Sequence, residues 1–148
     1  MASIDQEIKS SFDTEKERAL INIMFTANWF KNLNNEVLHP YGVSPAQYNI
    51  LRILRGAKDK MSMQNVKKRM IDKSPNTTRL TDKLFDKEFI ERERCTKDRR
   101  VVYVSITKEG LSLLKEIDSP TKELMNSFDP LSEEESKTLS MLLDKLRD

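Results

Sequence analysis

The hydrophobic period of this chain changes twice within residues 74–110, and that change limits its architecture more than any other feature. Ser74-Pro75 pairs a capping residue with proline at the first helical position. Apolar side chains then recur at helical spacing through Leu80, Leu84 and Phe85, which predicts a helix to about Lys87 with these three inward. Val102, Val104 and Ile106 next alternate with Val101, Tyr103 and Ser105, the period of a half-buried strand. Paired with Phe89–Cys95, this strand makes a hairpin whose tip reads Lys97-Asp98-Arg99-Arg100. Helix resumes after Lys108-Glu109-Gly110.

The flanking segments are helical. From about Thr14 to Leu38, Leu20, Ile23, Met24, Ala27, Phe30, Leu33 and Val37 form one stripe, beside Trp29, until His39-Pro40-Tyr41-Gly42 breaks it. Met24, Phe25, Trp29 and Phe30 read as core. Ser44, Pro45 and Gln47 have the pattern of a capping box; the helix they open runs to about Arg55, buries Tyr48, Leu51 and Leu54, and ends at Gly56. A polar link, Ala57 to Lys60, precedes Ser62, which caps a helix over Met63–Met70 with Val66 and Met70 inward. This helix and the one after Ser74 form a helix-turn-helix, with the hairpin as its wing. Downstream, Leu111, Leu114, Ile117, Leu124 and Phe128 share a face that Ser119-Pro120 should kink or restart, because proline lacks the amide donor. After Asp129-Pro130, Ser132 with Glu135 opens a last helix striped by Leu139, Leu142, Leu143 and Leu146. The fold class is α+β, mostly α: a winged helix-turn-helix.

Composition removes most catalytic readings. The 148 residues suit one domain. A single cysteine, Cys95, precludes an internal disulfide, and one cysteine with one histidine, His39, cannot make a four-ligand zinc site. Three glycines leave no phosphate-cradling loop. A Cys95–His39 nucleophilic pair would need a residue of the hairpin and one at the end of the first long helix to converge, and it is discounted. Glu133-Glu134-Glu135 reads as first-turn charge on a helix, not as a catalytic set. No catalytic residue, metal or cofactor is expected. Met1–Asp13 has no apolar core of a signal peptide and no run approaches a membrane span, so a cytoplasmic protein without a membrane partner is expected.

Charge points to the partner. Net charge is only +2, yet residues 55–100 hold fifteen Lys and Arg against eight Asp and Glu. Such a segregated basic face attracts phosphates, although a solvated helical surface has the same composition. Asn76, Thr77, Thr78 and Arg79 open the second helix of the pair, with Ser74 before them and Lys83 a turn on. Asparagine can bond adenine through two hydrogen bonds and arginine can bond guanine or phosphate. Thr77 and Thr78 offer hydroxyls to phosphate and methyls to thymine. The plainer alternative has Ser74 and Asn76 as caps and Arg79 paired with Asp82 three residues on. At the hairpin tip, Arg100 suits a narrow, electronegative minor groove, and Lys97 and Arg99 suit phosphates. An ordinary solvated turn has the same residues.

The stretch Asp98-x-Arg100-x-x-x-Val104-x-Ile106-Thr107-x-x-Gly110 resembles the wing of the MarR family of bacterial transcriptional regulators. Arg79-Leu80-Thr81-Asp82-Lys83-Leu84 is similar to the core of that family's recognition helix, and the resemblance covers about residues 14–147. It implies one MarR-type domain over 1–148. Residues 14–44 and 108–148 would be dimerisation helices, and 45–107 the DNA-binding lobe. It further implies that Asp98 orients Arg100, and that a homodimer reads a pseudo-palindromic operator in double-stranded DNA. A small-molecule effector would bind between the lobes, and the resemblance allows some of Met24, Phe25, Trp29 and Phe30 to line its pocket, a role that helical spacing does not separate from core packing. The expected role is transcriptional repression that responds to a ligand. Two alternatives remain: architectural DNA binding without sequence preference, and redox response through Cys95, which lies near Arg92, Arg94 and Lys97. The chain departs from the family at Glu88. A glycine is usual there, so either the turn differs or the chain tolerates a left-handed backbone at a non-glycine residue, at a cost of about 1 kcal/mol.

Overall fold

A computed structural model of the protein describes residues 3–73 and 76–148, with the backbone alone at Phe128. The helices are α1 (Ile4–Glu7), α2 (Glu15–Leu38), α3 (Pro45–Ala57), α4 (Met63–Arg69), α5 (Thr77–Asp86), α6 (Lys108–Met125) and α7 (Glu133–Arg147). Three strands, β1 (Met61–Ser62), β2 (Ile90–Arg94) and β3 (Val102–Ile106), form an antiparallel sheet in the order β1-β3-β2. Among the described residues, no helix is long and apolar enough to cross a membrane.

Local capping sets the helix starts. Thr14, Ser44, Ser62, Thr107 and Ser132 each accept a hydrogen bond from the backbone N–H three residues on. At Ser44 and Ser132 the reciprocal bond is present: Gln47 Oε1 accepts from Ser44 N at 2.9 Å and Glu135 Oε2 from Ser132 N at 2.8 Å. Hydrogen bonds from the Ser132 backbone and hydroxyl hold the Glu135 carboxyl below the usual glutamate range.

The structure corrects the sequence reading in several places. Gly56 lies inside α3, and the left-handed residue that ends this helix is Lys58, at φ 58°. The link before α4 includes a strand: Met61 pairs with Val104 and Ser62 with Tyr103. Two residues are too few to show a period. Ser119-Pro120 does not interrupt α6, which carries Pro120 within it. At that point the Tyr48 hydroxyl donates to Thr121 Oγ1 at 3.2 Å, and Thr121 Oγ1 donates to the Ile117 carbonyl at 2.8 Å, so packing against α3 braces the turn that proline weakens. Phe85 is exposed, not buried. The short α1, whose Ile4 is buried, was not foreseen.

The core gathers Leu38 from α2, Ile50, Leu51 and Leu54 from α3, Val66 from α4, Leu84 from α5, Ile90 and Val104 from the sheet, and Leu114 and Ile117 from α6. Elsewhere the long helices are open. Leu38 is the buried residue of α2, while Leu20, Met24, Phe25 and Trp29 are exposed. Of these, Met24, Phe25 and Trp29, read as core from their spacing, lie outside the core of the single subunit, and Phe30, read the same way, is half-buried. On α7 none of the residues is buried, and Leu139, Met141, Leu142 and Leu146 are exposed.

Candidate nucleic-acid interface

The second helix of the helix-turn-helix begins with Asn76 in the N-cap position, its carbonyl accepting from Leu80 N at 3.0 Å. Leu84, Thr77 and Thr81 form the inner face of α5. The Thr81 hydroxyl donates back to the carbonyls of Thr77 and Thr78, at 3.0 and 2.8 Å. The outer face carries Asn76, Thr78, Arg79 and Lys83, all exposed. Thr77 departs from expectation. It is only 3% exposed, with its hydroxyl 3.7 Å from Met70 Sδ, so in this conformation it packs against the end of α4 rather than on the outer face. Ser74 and Pro75, read as the cap and first residue of this helix, lie outside the described residues.

Arg79 does not pair with Asp82. The Asp82 carboxylate instead meets Arg92 of β2, Oδ1 to Nη2 at 2.6 Å, and the Arg92 guanidinium lies 5.1 Å from the centre of the Phe85 ring. Arg92 Nη2 is buried without an aligned hydrogen-bond acceptor, so its tie to Asp82 is one of charge rather than of directed bonding. Phe85 therefore stays at the surface as a platform for this cation. Sequence reading named Arg92 only as a cation near Cys95 and missed this pair, because it joins a helix to a strand. The one visible hint is alternation: Arg92 falls on the same side of β2 as Ile90 and Arg94.

The turn from α5 into the wing has a left-handed residue, Glu88 at φ 60°. Glu88 N donates to the Phe85 carbonyl at 2.9 Å and Phe89 N to that of Leu84 at 3.0 Å, the two bonds of a Schellman ending. Glutamate thus takes the conformation that glycine adopts without strain. Thr107 closes the base of the wing by donating its hydroxyl to the Glu88 carbonyl at 2.7 Å and its amide to that of Phe89 at 3.1 Å. Gly110 sits against this junction. A Cβ there would lie 2.3 Å from the Phe89 carbonyl oxygen and 2.8 Å from Ile106 Cγ1, so no side chain fits.

At the wing tip, Asp98 Oδ1 accepts from the backbone of Arg100 at 3.0 Å and from its Nε at 3.2 Å. Val101 N donates to the Asp98 carbonyl at 2.9 Å, which closes the turn. One carboxylate therefore fixes the turn and aims the Arg100 side chain, 92% of which is open to solvent. Lys97 and Arg99 are exposed beside it, and Cys95 is half-buried at the wing base. Between α5 and the wing lies a cleft of about 540 Å³ whose lining includes Thr78 on one side, Arg100 and Tyr103 on the other, and Ser62 and Gln64 from the start of α4. The structure thus brings together Thr78 and Arg100, which the sequence placed on two separate probes.

This arrangement coincides with known proteins. Residues 43–102 match the model of the MarR family. The HTH-type transcriptional repressor MdtR of Bacillus subtilis (strain 168) is 32% identical over 112 residues, covering 75% of this chain and 72% of MdtR. The HTH-type transcriptional regulator MhqR of the same organism is 28% identical over 137 residues, covering 90% of this chain and 92% of MhqR. The crystal structure of a mutant MarR from E. coli complexed with operator DNA superposes with a TM-score of 0.77 at 27% identity, covering 92% of this chain and 99% of that one. A helix-turn-helix with an exposed polar first turn, a wing aimed by an aspartate–arginine bond, and these likenesses in sequence and shape agree: the chain belongs to the MarR family of DNA-binding winged helix-turn-helix transcriptional regulators, and is not an enzyme.

Proposed function

We propose that this chain acts in the cytoplasm as a homodimer that binds a pseudo-palindromic operator in double-stranded DNA and represses transcription until a small-molecule effector intervenes. The observation that carries the reading is the placement of Thr78 and Arg100 across one cleft, with Asn76, Arg79 and Lys83 exposed on the same helix. Asn76 and Arg79 read base edges in a major groove, Lys83 and Thr78 take phosphates, and Arg100 enters the neighbouring minor groove while Lys97 and Arg99 hold its rims. Asp98 acts on DNA only through Arg100.

Residues 45–107 form the reading lobe, and residues 14–44 with 108–148 the pairing helices. The exposed Leu20, Met24 and Trp29 of α2 and Leu139, Leu142 and Leu146 of α7 supply the apolar surface that a partner subunit would cover. Two-fold pairing sets the reading helices one turn of DNA apart, about 34 Å. An effector shifts repression by binding unequally to the spacings that fit and do not fit the operator. The repressor name of MdtR and the operator complex of the E. coli MarR support the direction of this control.

Selection of bound fragments from the source genome, followed by footprinting at fixed salt, tests the reading. The expected result is a two-fold symmetric footprint and a dimer by light scattering at the binding concentration. Equal affinity for the selected site and a scrambled duplex would replace it with architectural binding, and a monomer that still protects both half-sites would remove the pairing scheme.

A further inference from the structure

The cleft between α5 and the wing has a wall that neither probe uses. Gln64, in the first turn of α4, is exposed and lines this cleft together with Thr78 and Arg100. Its side chain makes no hydrogen bond with another described residue.

A protein that grips a major groove with one element and the adjacent minor groove with the next must straddle one sugar-phosphate strand, because that strand is the boundary between the two grooves. With the helix on one side and the wing on the other, the strand runs through the space between Thr78 and Arg100. Phosphate oxygens only accept hydrogen bonds, and the primary amide of glutamine supplies two N–H donors.

We propose that Gln64 donates an amide N–H to a phosphate of the DNA strand lying in this cleft, so that α4 supplies a third grip alongside the recognition helix and the wing. The inference rests on the DNA-binding reading above and adds a residue to it. The contact carries no sequence information. It fixes how deeply the duplex seats between the two probes, as phosphate contacts do.

Gln64→Glu and Gln64→Lys test the assignment in the full-length protein, with urea unfolding of each variant as the control for folding. Duplex affinity is measured across a salt series, on the selected operator and on a random duplex of equal length. Gln64→Glu replaces a donor with a repelling carboxylate and should weaken both complexes about tenfold at fixed salt. Gln64→Lys should strengthen both and steepen the dependence of log K on log salt by about 0.9, the signature of one added phosphate contact. Wild-type affinity and slope for both variants would overturn the proposal. So would a loss confined to the operator, which marks a base contact. If the wild-type protein binds neither duplex, the DNA-binding reading itself fails, and that outcome is distinct from wild-type binding which the two variants leave untouched.

Discussion

Arg92 on β2 and Asp82 on α5 hold each other at 2.6 Å across the junction between the reading helix and the wing, with the Phe85 ring 5.1 Å from the guanidinium. The Arg92 side chain is 28% exposed and that of Asp82 51%, so solvent screens the pair and its strength is modest. A double-mutant cycle of Arg92→Ala and Asp82→Ala, followed by urea unfolding, should return a coupling of about 0.5–1 kcal/mol. Phe85→Ala should remove a further ~0.5–1 kcal/mol in the presence of Arg92 and less in its absence. Strict additivity of the two charge mutants would show that the pair holds nothing together.

Gly110 is fixed by crowding, not by an unusual backbone angle. With the Phe89 carbonyl oxygen 2.3 Å from where a Cβ would sit, Gly110→Ala must push the start of α6 away from the wing base. The expected loss is about 2–3 kcal/mol in urea unfolding. A variant within ~0.5 kcal/mol of wild type would mean that the junction yields easily.

Glu88 offers the opposite experiment. Its φ of 60° is strained for any side chain but free for glycine. Glu88→Gly should stabilise the protein by about 1 kcal/mol, and Glu88→Val should destabilise it by more than that. No gain in the glycine variant would indicate that the extra freedom glycine gives the unfolded chain cancels the relieved strain.

Much of this was legible in the residues, and several of the failures share one cause. Thr14, Ser44, Ser62 and Ser132 were read as helix boundaries because a cap is written within four residues. The left-handed turn at Glu88 was anticipated as the alternative to a different turn, since no glycine stands there. Three contacts between residues far apart in the chain were missed. Tyr48 bracing the Pro120 turn, Arg92 drawing Phe85 to the surface, and Met61–Ser62 adding to the sheet involve partners many turns away. Thr77 was misjudged because helical spacing says which residues share a face, not which face is covered. Met70 fills the space beneath it.

Arg100 and Asn76 separate the two kinds of contact expected of a DNA reader. Arg100→Ala should leave stability unchanged, because its side chain is almost wholly exposed. It should flatten any preference for A·T flanks and weaken binding. Asn76→Ala should cost about 1–3 kcal/mol at one base step and little elsewhere. Gel-shift titrations on operator variants distinguish the two patterns, and a uniform loss from Asn76→Ala would assign it to the backbone instead. Asp98→Asn should fall between wild type and Arg100→Ala, since it loosens the aim without removing the cation.

Glu135 gives a pH signature. The Ser132 backbone and hydroxyl bonds depress its folded pKa below the unfolded value, so their contribution to α7 is complete above the ordinary carboxylate range. It is lost as pH falls through the depressed value. NMR titration of the Glu135 carboxyl should show a midpoint lower than that of an exposed glutamate, returning toward the ordinary value in Ser132→Ala. Identical midpoints in the two proteins would show that the cap does not hold the carboxylate in solution.

The two-residue strand β1 has a consequence out of proportion to its length. It enters the sheet beside β3 of the wing and leads without a break into α4, so the sheet that bears the wing is tied directly to the first helix of the reading unit. A reader built this way behaves as a fixed calliper. If it grips DNA as proposed above, it measures the interval between a feature in the wide groove and one in the narrow groove, and inserting a single base pair between them should defeat it even though each feature remains intact.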